Sequence, residues 1–194
     1  MDDILKCAER FAFIPTYIVC SGDIAETGTA DQFKEAHHEV SQIAAGLSVD
    51  KSNVLFVPGN HDINRDLSSL SAKIGESRLK LQCYDKICRN FYGDSRNLDT
   101  QTFQVVCDYR LGILFVLINS CEKEDHDIHV GSVCLQKLND TIQGEEVRFA
   151  MDQGFLMIAV IHHRVDSDGG EAKFYTRSGQ HHTRALSTIL LSSL

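Results

Sequence analysis

The chain has 194 residues, the size of one domain, and its 43% hydrophobic and 24% charged content excludes wholesale disorder and an array of small modules. Its 27 acidic residues outweigh 19 basic ones for a formal charge of −8, which leaves no net positive field for nonspecific binding to nucleic acid or anionic lipid. The longest apolar runs, 113–118 and 156–161, are far short of the ~20 residues of a membrane-spanning helix. The opening Met1-Asp2-Asp3 is acidic where a secretory leader is basic, so the expected compartment is the cytoplasm. Seven cysteines without a CxxC pair read as buried, reduced thiols.

Residues 2–11 read as a helix, and Tyr17-Ile18-Val19-Cys20 as a short strand stopped by Ser21-Gly22-Asp23. Phe33, Ala36, His37, Val40, Ile43, Ala44 and Leu47 form a helical stripe, preceded by Thr29 and Gln32 at capping-box spacing. His37 lies on that stripe as a buried histidine, and His38 beside it as a solvated one. Val54-Leu55-Phe56-Val57 is a second strand, halted by Pro58-Gly59.

One or two helices follow over 66–92, with Leu67, Leu70, Ile74, Leu79, Tyr84, Ile87 and Phe91 as the apolar positions. Residues 103–107 and 113–118 suggest a hairpin across 108–112. The acidic run 122–127 reads as a solvated loop, 133–142 as a helix, and 155–161 as a strand ending at His162-His163. Strands apolar throughout, alternating with helices, imply an α/β layered fold, with 1–194 as a single domain.

Three of these strands run directly into polar residues: Asp23 after the first, Asn60, His61 and Asp62 after the second, His162 and His163 after the last. Ligands of α/β sheets bind beyond the carboxyl ends of strands. A carboxylate, an amide oxygen and an imidazole together suit manganese, iron or zinc. Asp23 and Asn60 taken singly are also ordinary turn residues.

Gly22-Asp23, Gly59-Asn60-His61-Asp62 and His162-His163, in this order, resemble the calcineurin-like metallophosphoesterase superfamily. The flanking residues 57–65 and Leu117-Ile118-Asn119-Ser120-Cys121 resemble its bacterial-type members, including the cyclic-nucleotide phosphodiesterase-like branch. The resemblance covers about residues 2–165. It implies a β-sandwich with outer helices and two divalent metal ions (Mn, Fe or Zn). Asp23 would bridge both ions, and Asn60 and His162 would bind the second. A water made acidic by the ions would attack phosphorus as hydroxide. His61 would act as hydrogen-bond donor or general acid, since histidine changes charge near neutral pH. Asp62 either orients His61 or caps its loop, and His163 is a neighbour of the site rather than a ligand.

The family's opening Asp-x-His strand has no counterpart before Asp23, so the expectation is a partial domain that lacks its first strand and two ligands of the first ion. One ion is then expected here. Asp127-Ile128-His129 is an Asp-x-His out of order and reads as loop. Gly179-Gln180-His181-His182 departs from the family's closing Gly-His-x-His by Gln180, which leaves His182 open as a ligand and His181 undecided. The expected function is metal-dependent hydrolysis of a phosphoester, diester or monoester, impaired by the missing ligands. The alternative is a noncatalytic protein-interaction module on the same fold.

Overall fold

Along two of the strands, successive side chains serve different cores. In β2 (Val54–Phe56), Val54 and Phe56 face one cluster while Leu55 and the following Val57 face another. In β4 (Ile113–Ile118), Leu114, Val116 and Ile118 turn one way and Phe115 and Leu117 the other. Side chains alternate with a period of two, so a strand buried on both faces must lie between two layers. These strands sit inside a stack of helix, sheet, sheet and helix.

The structure is a computed structural model that describes residues 2–93, 103–125, 131–163 and 172–175, with side chains omitted for Asp2 and for 172–175. In chain order the elements are α1 (Asp2–Arg10), β1 (Ile18–Cys20), α2 (Ala30–Gly46), β2, α3 (Arg65–Ile74), α4 (Gln82–Tyr92), β3 (Gln104–Asp108), β4, β5 (Gly131–Cys134), α5 (Leu135–Ile142), α6 (Glu145–Asp152), β6 (Leu156–Ile161) and β7 (Ala172–Tyr175). β1 and β2 pair in parallel, with Ile18 opposite Val54. A second sheet has the order β3-β4-β6, antiparallel then parallel. β5 and β7 form a third, parallel pair.

The layer between the first two sheets holds Leu55, Val57, Phe115, Leu117 and Val160. Outside β1 and β2, α2 and α4 contribute Phe33, Ala44, Tyr84, Cys88, Phe91 and Tyr92, and the Tyr92 hydroxyl donates to the Val54 carbonyl at 2.5 Å. Outside the other sheet, α5 and α6 contribute Leu138, Val147 and Ala150. This is an α/β fold with the layered sandwich and outer helices that the resemblance implies. Among the described residues no helix is long and apolar enough to cross a membrane.

Several local expectations are corrected. Val133 and Cys134 belong to β5, because the edge of β7 and the bridge from Cys121 to Ser132 satisfy their backbone, and the helix starts only at Leu135. α6 lay unrecognised between two apolar segments. Thr29 caps α2 without a side-chain bond, and Gln32 instead accepts from the amide and hydroxyl of Thr27. α3 buries Ser68 and Ser71 and exposes Leu70 and Ile74, because its polar side packs over the turn carrying Lys80. His37 is half-buried edge-on to Phe91, with Nε2 lacking a hydrogen-bond partner. No cysteine is in a disulfide, and Cys7 is exposed rather than buried.

Candidate metal centre at the strand ends

β1, β2 and β6 end at the same place, and two glycines let their loops close. Gly22 has φ +102°, and a Cβ there would stand 2.4 Å from Nδ1 of His162. A Cβ on Gly59 would stand 2.2 Å from Oδ1 of Asp23. Real side chains cannot occupy either position without moving a site residue. Asp23 itself has φ +56°, a left-handed conformation that aspartate tolerates better than most residues.

Three polar atoms meet there. Nε2 of His162 lies 3.0 Å from Oδ1 of Asn60 and 3.4 Å from Oδ2 of Asp23. The other ring nitrogen, Nδ1, donates to the Ser21 carbonyl at 2.9 Å, so in the neutral ring Nε2 presents a lone pair. Asn60 Oδ1 and Asp23 Oδ2 also present lone pairs. Acceptors facing acceptors repel unless a cation or a proton lies among them. The donor set therefore fits a divalent cation. The side chains of His162 and Asp23 keep 18% and 35% exposure, which leaves the site open to solvent.

The other oxygen of Asp23, Oδ1, accepts the His61 amide at 2.9 Å, which ties the first loop to the second. His61 is exposed at the rim, and its Nδ1 donates to the Glu26 carbonyl at 2.8 Å, which leaves Nε2 toward solvent.

Glu26, not Asp62, orients the His61 ring. Asp62 is fully buried, and its carboxylate accepts the amides of Gly59 (2.8 Å), Asp23 (2.9 Å) and Ala25 (2.9 Å). It ties the first loop to the second, so of its two alternatives the loop cap is the one observed. Burial pushes its carboxyl up to about 6 despite the three amides, which favour the charged form. Cys20, at the end of β1, is pushed up to about 11 by burial and by Asp62.

His163 faces the opposite way and is buried. Its Nδ1 pairs with Oγ of Ser120 at 2.7 Å, and its Nε2 lies 3.3 Å from Oε1 of Glu124. Glu124 is 1% exposed, which corrects the reading of 122–127 as a solvated loop at this one residue, while Lys123 beside it is exposed. The cause is Lys80, itself buried, whose ammonium donates to the carbonyls of Cys121 (3.0 Å), Glu122 (2.6 Å) and Glu124. Burial pushes the Lys80 ammonium down.

Sequence reasoning missed Glu26 because it acts through its carbonyl, which any residue would supply. It missed Glu124 because charge runs are ordinarily solvated. The Asp127, His129, His181 and His182 candidates lie outside the described residues.

A family model described as calcineurin-like phosphoesterase matches residues 1–166. No curated protein matches the chain.

Proposed function

Because the chain belongs to the calcineurin-like phosphoesterase family, whose members are in general metal-dependent hydrolases of phosphoesters, we propose that it hydrolyses a phosphoester with a divalent cation held by Asp23, Asn60 and His162. The observation that supports this is the convergence of three lone-pair donors, from three separate strand ends, on one solvent-open point. When bound, such a cation polarises the phosphoryl oxygens and makes a water nucleophilic near neutral pH.

The chain's own residues supply the rest. Nδ1 of His61 is committed to the Glu26 carbonyl, so Nε2 is the ring nitrogen left to face a substrate, and it carries a proton in the imidazolium form. As the bond from phosphorus to the leaving oxygen breaks, the imidazolium donates that proton to the oxygen, and the attacking water loses its proton to solvent. Asp62 is a positioning residue, holding the main chain that carries Asp23 and His61. The substrate is the only partner in this reading; an acidic surface and free cysteines accord with a chain that acts in the cytoplasm without binding membrane or nonspecific nucleic acid.

The test is turnover of bis(p-nitrophenyl) phosphate and p-nitrophenyl phosphate by the full chain in manganese. Wild-type turnover that vanishes in Asp23→Ala is expected. Wild-type turnover at background, unaffected by Asp23→Ala or His61→Ala, would favour the noncatalytic interaction module.

A further inference from the structure

Behind the strand-end site lies a second group of donor atoms with a different chemistry. Sγ of Cys121, a carboxylate oxygen of Glu124 and a ring nitrogen of His163 all lie within 4.8 Å of one another. The three residues are 0%, 1% and 5% exposed. Cys121 and Glu124 share one turn after β4, where the Glu124 amide donates to the Cys121 carbonyl at 3.2 Å, and His163 reaches them from the end of β6.

We propose that Cys121, Glu124 and His163 supply three ligands of a buried zinc site, separate from the strand-end site. The first support is Glu124: both its carboxylate oxygens are buried without a hydrogen-bond partner. His163 Nε2 is close to one of them but off hydrogen-bond geometry. Buried carboxylates are ordinarily paired or bound to metal, because desolvation penalises a bare one. A cation at the centre of the cluster satisfies it.

The second support is His163. Metal-binding histidines engage the ring nitrogen that faces away from the metal in a hydrogen bond, which fixes the ring and its tautomer. Here Ser120 holds Nδ1 and leaves Nε2 facing Cys121 and Glu124. The ring is held closely: a Cβ on Gly131 would stand 2.2 Å from its Cγ. Lys80, by drawing in the carbonyls of Cys121, Glu122 and Glu124, fixes the turn that aims the other two side chains.

The donor set selects the metal. A thiolate with an imidazole and a carboxylate suits zinc, whereas the strand-end site, with two oxygen donors and one imidazole, suits manganese or iron as well. Ligand distances of ~2.0 to 2.3 Å around a tetrahedral zinc would draw the widest pair in by about 1 Å. Glu124, with no hydrogen bond to break, is the side chain free to make that movement. On binding, the S–H bond of Cys121 breaks, an S–Zn bond forms, and the proton leaves to solvent. The competing arrangement is an ion pair of His163 and Glu124, with the Cys121 thiol donating to the Pro58 carbonyl at 3.4 Å.

The proposal stands apart from phosphoester hydrolysis, and its test separates the two. The full chain, stripped of metal, is titrated with cobalt(II) as a visible stand-in for zinc, then with zinc. The expected result is one equivalent giving a thiolate-to-cobalt charge-transfer absorption that zinc displaces. That absorption is retained in Cys7→Ser, whose thiol is exposed, and in Asp23→Ala even where hydrolysis is lost. It disappears in Cys121→Ser.

Glu124→Gln weakens cobalt binding at least tenfold, and Ser120→Ala, which removes only the partner of Nδ1, weakens it by ~10- to 100-fold. Should Cys121→Ser fail to fold, a zinc-dependent rise in the thermal midpoint of Asp23→Ala, absent in the double variant Asp23→Ala/Glu124→Gln, carries the same conclusion. No charge-transfer absorption in the wild type, or an absorption that survives Cys121→Ser or is lost in Cys7→Ser, overturns the proposal and leaves the ion pair.

Discussion

His162 and His163 are adjacent, with rings 4.9 Å apart and nearly perpendicular, yet they live in opposite surroundings. The first keeps 18% side-chain exposure and faces oxygen acceptors at an open rim; the second keeps 6% and sits between a hydroxyl and a buried carboxylate. At the end of a strand consecutive side chains point to opposite faces, so one step along the backbone moves an imidazole from solvent into the interior. The difference teaches that a His-His pair is not a doubled ligand. Only the open one can meet a substrate, and the closed one serves the packing of the turn behind it.

The largest expected effect breaks the open side alone. Asp23→Ala removes the carboxylate nearest Nε2 of His162 and should bring manganese-dependent turnover down to background, with the circular dichroism spectrum preserved. His61→Ala is expected to lower kcat by ~10²- to 10⁴-fold, the usual range for a positioned acid or base, while manganese affinity stays within a factor of a few. If both variants lose manganese binding equally, His61 belongs to the cation site rather than to the proton transfer.

Asp62 sharpens the comparison through pH. Its folded carboxyl is raised above the ordinary 3.8, to about 6. The folded state therefore holds the proton that the unfolded state gives up between those values. This contribution to stability is full below about pH 4 and lost as pH rises through about 6, and the displacement corresponds to about 3 kcal/mol. It is read as the unfolding free energy of the wild type minus that of Asp62→Asn, which does not titrate there. That difference should shrink by this amount from pH 4 to pH 7, and a constant difference would contradict the assignment.

Gly59→Ala is the smallest perturbation. Its methyl would need the space of Asp23 Oδ1, and the displaced neighbours should cost ~1 to 3 kcal/mol of stability by overpacking and weaken manganese binding. The cluster at His163 lies behind the site and should keep its thermal response to zinc. A Gly59→Ala variant that loses it would show that the open and closed sides are one unit.

How much could be read from the residues alone follows the same division. The strand Val54–Phe56 was legible because both its faces are apolar, and the donors Asp23, Asn60, His61 and His162 were legible because each follows an apolar run directly. The buried face of α3 is not legible, because periodicity assigns Leu70 and Ile74 inward, whereas Ser68 and Ser71 pack over the Lys80 turn. Local pattern draws β5 into a helix, because parallel pairing depends on a distant partner, β7, which it does not reveal. Glu124 was hidden in an acidic run whose burial depends on Lys80, 44 positions away. Contacts made by main-chain atoms or by a partner far along the chain leave no local signature.

The tie made by Asp62 also bears on how this site can change by mutation. Its three partners are main-chain N–H groups, at positions 23, 25 and 59, and every amino acid except proline carries that hydrogen. The tie is thus blind to side-chain identity on its donor side. Asp23 can be lost, and the chemistry with it, while the two loops stay joined. A descendant that loses Asp23 in this way keeps the two loops that build the rim. A proline at 25, by contrast, would remove one of the three bonds while Asp23, Asn60 and His162 keep their side chains.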